Sequence, residues 1–310
     1  MVDRGMGGTG KVADKGLGGT GKVADKGLGG TGVVGVITGF GSICVNGVEI
    51  FYDEKTAVKM DGRSVGSGAL RLGQVAAVFS RPGKRGLEAG LIVVNHALVG
   101  AIEAVDAEKR TLRVLGVTVD VPADAIVADA SGKRVSLSDL KEGESVAVSG
   151  LWKPNGHVDA ARIDRADRQG DRVSATGLIK RLGSRRFVLS GIPVSLARAN
   201  VLESEASGHT ALVTGRWNGK RIEADKVELQ PVTPFCVRAR DLNLEGYVTA
   251  VEANGNFRML GTVRVVVSAD SDIIGAKTIE KGMRVWVHGP VQPNRLVTAR
   301  QIRVLAPAPE

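Results

Sequence analysis

The feature that most constrains this chain is a glycine pattern that returns four times. An alternating run carries Gly35, Gly100, Gly177 or Gly246, as in Val34-Gly35-Val36-Ile37 and Glu245-Gly246-Tyr247-Val248. A tight turn follows in each case, at Val45-Asn46-Gly47-Val48, Val114-Leu115-Gly116-Val117, Leu189-Ser190-Gly191-Ile192 and Met259-Leu260-Gly261-Thr262. Asn46-Gly47 is the strongest of these hairpin signals, because such a turn needs positive φ at both central residues. A third glycine, Gly73, Gly143, Gly208 or Gly282, then precedes another run, such as Gln74-Val75-Ala76-Ala77-Val78. Each unit closes on a last alternating segment, for example Val158-Asp159-Ala160-Ala161-Arg162-Ile163.

Repeats of roughly 65 to 75 residues, each a set of short period-2 runs separated by turns, describe small β-barrels rather than one large core. The expected fold class is all-β: four tandem five-stranded antiparallel barrels of the OB type, with a helical turn before the fourth strand where Ser136-Leu137-Ser138-Asp139-Leu140-Lys141 offers a cap. The boundaries read as an arm over 1–32, barrels over 33–97, 98–167, 168–240 and 241–305, and a tail over 306–310. Linkers are expected at Asp167 to Arg172 and at Gln230-Pro231-Val232-Thr233-Pro234, where proline cannot donate to a ladder.

The N-terminal stretch has its own 11-residue period, Asp14-Lys15-Gly16-Leu17-Gly18-Gly19-Thr20-Gly21-Lys22-Val23-Ala24 being one copy. It is so rich in Gly and Thr that it cannot bury enough apolar surface to offset the entropy of ordering, so it reads as a flexible Gly-rich arm. Gly5-Met6-Gly7-Gly8-Thr9-Gly10-Lys11 imitates a phosphate-binding loop. Val12 and Val23 stand where that loop needs a Ser or Thr, and no strand or helix frames it, so a solvated spacer is the better reading.

Chemistry is sparse. The histidines His96, His157, His209 and His288 fall one per unit but at non-equivalent positions, and none has a second ligand at metal spacing. No Gly-x-Ser-x-Gly elbow occurs, carboxylates recur in no pair, and small barrels with 4% aromatic residues give few deep pockets. The expectation is a protein that is not an enzyme and carries no cofactor or metal. No apolar run is long enough to span a membrane as a helix. Cys44 and Cys236 admit two readings, a pair of inert buried thiols or a disulfide joining the ends of the array.

Charge becomes informative when divided by unit. The chain carries +9. Residues 168–240 hold 13 basic against 6 acidic side chains, a net +7, whereas 98–167 come to −3. Lys180, Arg181, Arg185 and Arg186 fall in the loop joining the first two strands of the third unit, and Arg216, Lys220 and Arg221 flank Trp217 in the loop joining its last two. In an OB-type barrel these loops border the oligonucleotide-binding face, and cations beside an aromatic platform suit single-stranded nucleic acid or another polyanion. Against this, Trp217 has a counterpart at Trp152 in the acidic second unit, which makes the tryptophan a packing feature of the repeat.

The stretch Gly27 to Glu49, with its Gly-Val-Ile opening and Val-Asn-Gly-Val turn, and the segment Leu140-Lys141-Glu142-Gly143-Glu144-Ser145-Val146-Ala147-Val148 together resemble bacterial proteins built from tandem DUF5666 domains. The resemblance covers about residues 27 to 305 and is loosest in the third unit. It implies small OB-type barrels and export to the periplasm or cell envelope, where an envelope protein or polysaccharide is the expected partner; it lends no activity and no catalytic residue. Met1-Val2-Asp3-Arg4 opens straight into the arm without an apolar leader, which leaves a cytoplasmic location as the alternative. The function expected is thus a non-enzymatic structural or ligand-binding role in the envelope, with polyanion binding through the third unit as the alternative.

Overall fold

The computed structural model of the chain describes residues 30–166, 172–181, 183, 185–196, 206–230, 239–261, 263–292 and 296–306. Most of the expected arm and both expected linkers lie outside these residues, although Arg172 opens a strand and Gln230 ends one. Among the described residues no helix is long and apolar enough to cross a membrane.

The protein is all-β, built of small five-stranded closed barrels. The first stretch holds β1 (Gly30–Gly39), β2 (Ile43–Val45), β3 (Val48–Phe51), β4 (Ala57–Met60), β5 (Arg63–Val65), β6 (Val75–Pro82) and β7 (Leu87–Val94). The second holds β8 (Leu98–Asp106), β9 (Thr111–Val114), β10 (Val117–Asp120), β11 (Ile126–Ala128), β12 (Ser145–Trp152) and β13 (Val158–Arg165). The third holds β14 (Arg172–Arg181), β15 (Arg186–Leu189), β16 (Ile192–Leu196), β17 (Thr210–Trp217) and β18 (Ile222–Gln230). The last holds β19 (Ala239–Val251), β20 (Phe257–Met259), β21 (Val263–Val266), β22 (Asp272–Ile274), β23 (Arg284–Pro290), β24 (Leu296–Thr298) and β25 (Gln301–Ala306).

In the second stretch β8 pairs β9, β9 pairs β10, β10 pairs β13, β13 pairs β12, and β12 returns to β8. The same circuit recurs through β14, β15, β16, β18 and β17. The ladders are not antiparallel throughout, contrary to expectation. A ring of five strands cannot alternate direction all the way round, because five is odd, so one pair must run parallel; it is β10 with β13 and β16 with β18, and likewise β3 with β7 and β21 with β24.

The glycines do what their placement suggested, and more. Asn46, Leu115, Ser190 and Leu260 hold φ near +50°, each followed by a glycine with positive φ. Their side chains fold back over the opening strand, so a Cβ on Gly100 would lie 3.0 Å from Leu115 and one on Gly177 2.7 Å from Ser190 Oγ. Gly73, Gly143, Gly208 and Gly282 take positive φ, and their N–H groups donate to Ile37, Ile102, Ile179 and Val248. Short 3-10 turns, Ser67–Ala69 and Leu137–Asp139, precede β6 and β12, the second closed by a Ser136/Asp139 capping box.

The barrels join in pairs. β8 lies antiparallel to β14, and the apolar interiors of residues 98–165 and 172–230 merge into one cluster. β1 runs parallel to β19 from Gly30 onward, so strand structure begins three residues inside the stretch expected to be arm. Gly30 is needed there: a Cβ would stand 2.3 Å from the Phe79 ring and 2.6 Å from Ser80 O.

Candidate functional site

The β1/β19 seam has two sides. Strand alternation sends Val33 and Ile37 into the first barrel and Leu242, Leu244 and Val248 into the last. On the outer face of the first barrel, Val34, Ala77, Phe79, Leu91 and Val93 continue the apolar core of the last one. Counting from the opening-strand glycine, Glu245 is the counterpart of Val34. Counting from the third glycine, Trp286 and His288 are the counterparts of Ala77 and Phe79, and cross-strand register makes Gln301 and Arg303 those of Leu91 and Val93. Five apolar positions on one side of the seam are therefore polar or aromatic on the other.

Those five side chains, excepting none, line a cleft of about 1730 Å³ between the first, second and last barrels. Its floor is the outer face of β19, β23 and β25, where register sets Asn243 beside His288 beside Gln301, and Glu245 beside Trp286 beside Arg303. The opposite walls come from the β2–β3 hairpin at Asn46 to Glu49, the turn at Leu72 and Gly73, and the segment Pro122 to Ile126.

Buried charge ties this floor to its neighbours. Glu245, 4% exposed, accepts from the Val36 backbone N–H at 3.1 Å and from Arg284 Nε at 2.9 Å. Arg284 also reaches Asp159 Oδ2 at 3.4 Å, and the Tyr247 hydroxyl donates to the same oxygen at 2.7 Å. Lys153 extends the network to Asp120 at 2.9 Å. Burial pushes the Tyr247 hydroxyl pKa up, and the hydrogen bond to the Asp159 carboxylate adds to it. Burial disfavours the Arg284 charge, yet the Glu245 carboxylate outweighs that and its pKa rises. The His288 imidazole goes the other way: burial lowers it below its usual range, with Asp241 opposing and Arg300 adding to the fall. His288 stacks on Trp286 at 6.1 Å and 19°, and Arg303 lies 5.5 Å over the same ring.

Local sequence pattern does not reveal this floor. Asp159, Glu245 and Arg284 alternate with apolar residues as outward-facing strand residues do, and only the neighbouring barrel buries the two carboxylates and half-buries the guanidinium. The signal was present in the internal comparison, where one unit carries Arg, Trp and His at positions that are Val75, Ala77 and Phe79 in another.

The basic side chains of the third stretch are placed as follows. Lys180 and Arg181 close β14 and Arg186 opens β15, at the strand ends rather than in the loop expected between them; Lys180, Arg185, Arg186, Arg216, Lys220 and Arg221 are exposed, and the Arg181 side chain lies outside the described residues. Register carries Arg186 of β15 across to Ser195, then Glu223, then Arg216, so both basic loops border one row of the barrel wall. Glu223 sits within that row and accepts from Asn218 Nδ2 at 2.9 Å. Trp217 packs against the merged core and covers the turn at Gly116, while Trp152 donates Nε1–H to Thr176 O at 2.7 Å. Each tryptophan thus reaches across the β8/β14 seam into the other barrel. Cys44 is half-buried on β2, and Cys236 lies outside the described residues.

Residues 99–164, essentially the second barrel, match the family model described as a domain of unknown function, DUF5666. No curated protein and no solved structure matches the chain.

Proposed function

We propose that the protein is a non-enzymatic ligand-binding module built from four tandem OB-type barrels of the DUF5666 kind, working in the bacterial cell envelope, with the cleft over β19, β23 and β25 as its binding site. The observation that carries this reading is the reversal across the seam. Positions that pack apolar side chains in the first barrel place Trp286, His288, Gln301 and Arg303 on an open cleft in the last, with Glu245 buried beside them. A purely structural role gives no reason to place an aromatic ring, an imidazole and a guanidinium where apolar packing would close the interface. The OB-type assignment is supported by the 1-2-3-5-4-1 circuit with its parallel 3/5 pair and by the 3-10 turn before the fourth strand. The envelope location rests on the DUF5666 resemblance.

The test is purification from the native host without denaturation, followed by mass spectrometry of what stays bound. A small molecule or glycan retained by the natural chain and lost on Arg303→Glu supports the reading; equal retention by both moves the site elsewhere. Fractionation to the cytoplasm would remove the envelope assignment. A second reading, binding of single-stranded nucleic acid or another polyanion, is favoured by the register that brings Arg186 and Arg216 into one row. Salt-sensitive binding of a labelled oligonucleotide, abolished by Arg185→Ala with Arg186→Ala, would establish it.

A further inference from the structure

Three arginines line the cleft. Arg284 is committed to Glu245 and Asp159, whereas Arg134 and Arg303 have no ion-pair partner among the described residues, and of these two it is Arg303 that lies over an aromatic ring. Arg303 is exposed, rests on the Trp286 ring, and has no ion-pair partner among the described residues. Its surroundings are apolar. Ile274 of β22 lies directly beside it in register, Leu305 follows two residues along β25, and Leu72 lines the same cleft. Leu72, Ile274 and Leu305 are 39%, 39% and 46% exposed, and they make up half of the large apolar side chains that the described surface exposes. Scattered apolar residues on a surface need no explanation, but Ile274 and Leu305 flank a cation that has no ion-pair partner among the described residues.

We propose that this corner binds an amphiphilic carboxylate, its head on Arg303 and its apolar body along Trp286, Ile274 and Leu305. The guanidinium fork matches a carboxylate in bidentate geometry, and the apolar flank both favours a hydrocarbon body and strengthens the ion pair by excluding water. A single anionic head fits better than a chain of them. Glu49, Asp124, Asp159, Asp241 and Glu245 line the same cleft and would repel further negative charge. The Trp286 Nε1–H is buried with no acceptor among the described residues, and the ring lies between His288 and Arg303 contacts rather than on a hydrogen bond.

The inference rests on the cleft being the ligand site, and one calorimetric series tests it. Decanoate, titrated into the full chain below its micelle concentration, is expected to bind saturably at one site. Decanol, with the body but no charge, and glucuronate, with the charge but no chain, are each expected to bind at least tenfold more weakly. Arg303→Gln should weaken decanoate at least tenfold with an unchanged melting temperature, whereas Arg258→Gln, a cation outside the cleft, should leave it unchanged. Equal affinity for decanoate and decanol, full retention in Arg303→Gln, or no binding of decanoate overturns the proposal. If decanoate fails while a ligand retained from the host is still lost on Arg303→Glu, the chemical class is wrong and the cleft stands; if neither is seen, both fall.

Discussion

Gly100 and Leu115 show how tightly a backbone requirement and a packing requirement can be joined. Leu115 takes φ +53°, unusual for its residue type, and is buried at 1% exposure because Gly100 leaves room for it. Gly100→Val should destabilise by about 1–3 kcal/mol through overpacking. Combined with Leu115→Gly, which removes the clashing side chain, the loss in chemical denaturation should be smaller than the sum of the two single losses. His288 supplies a pH prediction. Its folded pKa lies below the ordinary imidazole value, so in the interval between the two the unfolded chain holds a proton that the folded chain does not. Stability contributed by neutral His288 is present above the ordinary imidazole range and is lost as pH falls through it. His288→Gln should therefore show a shallower fall in urea midpoint between pH 7 and pH 5 than the natural chain.

At the level of elements, the fourth strand of three barrels carries a further glycine. Register slips between Ser149 and Gly150 in β12 and between Thr214 and Gly215 in β17, and a Cβ on Gly150, Gly215 or Gly289 would stand 2.4, 2.1 or 2.0 Å from a carbonyl of the last strand. These are bulges that bend the strand so that a short barrel can close. Ser80 occupies the corresponding slip in β6, which is why no shared glycine was legible there. The strands themselves, their turns and the 3-10 turn before β12 were legible, because period-2 alternation and positive-φ glycines are local signals. The tryptophans belong to this scale too. Trp152→Phe should cost about 1 kcal/mol by removing the hydrogen bond to Thr176 O, and it should loosen the β8/β14 seam, seen as faster amide exchange in β14.

For the whole molecule, the ionic network through Asp159, Tyr247, Arg284 and Glu245 links the second barrel to the last across a buried boundary. Buried ion pairs contribute little net stability when intact but are costly to break from one side. Arg284→Met should accordingly destabilise the chain by about 3–5 kcal/mol in equilibrium denaturation, since it leaves two buried carboxylates short of their shared cation. Tyr247→Phe, which leaves Asp159 its contacts with Arg284 and Lys153, should cost less, about 1–3 kcal/mol.

The all-β class, the small-barrel scale, the hairpin turns and the place where positive charge accumulates can be read from the sequence, since each depends on residues near one another along the chain. It also held the divergence at Arg284, Trp286 and His288, though without a meaning. Only the tertiary structure decided that β1 would run beside β19, that Trp217 would cover the Gly116 turn, and that Glu245 and Asp159 would be buried together. Strand alternation tells which side of a ladder a residue occupies, but whether that side meets water or another barrel depends on contacts between residues as distant as Val36 and Glu245. That is why the basic loops were visible from the start and the cleft was not.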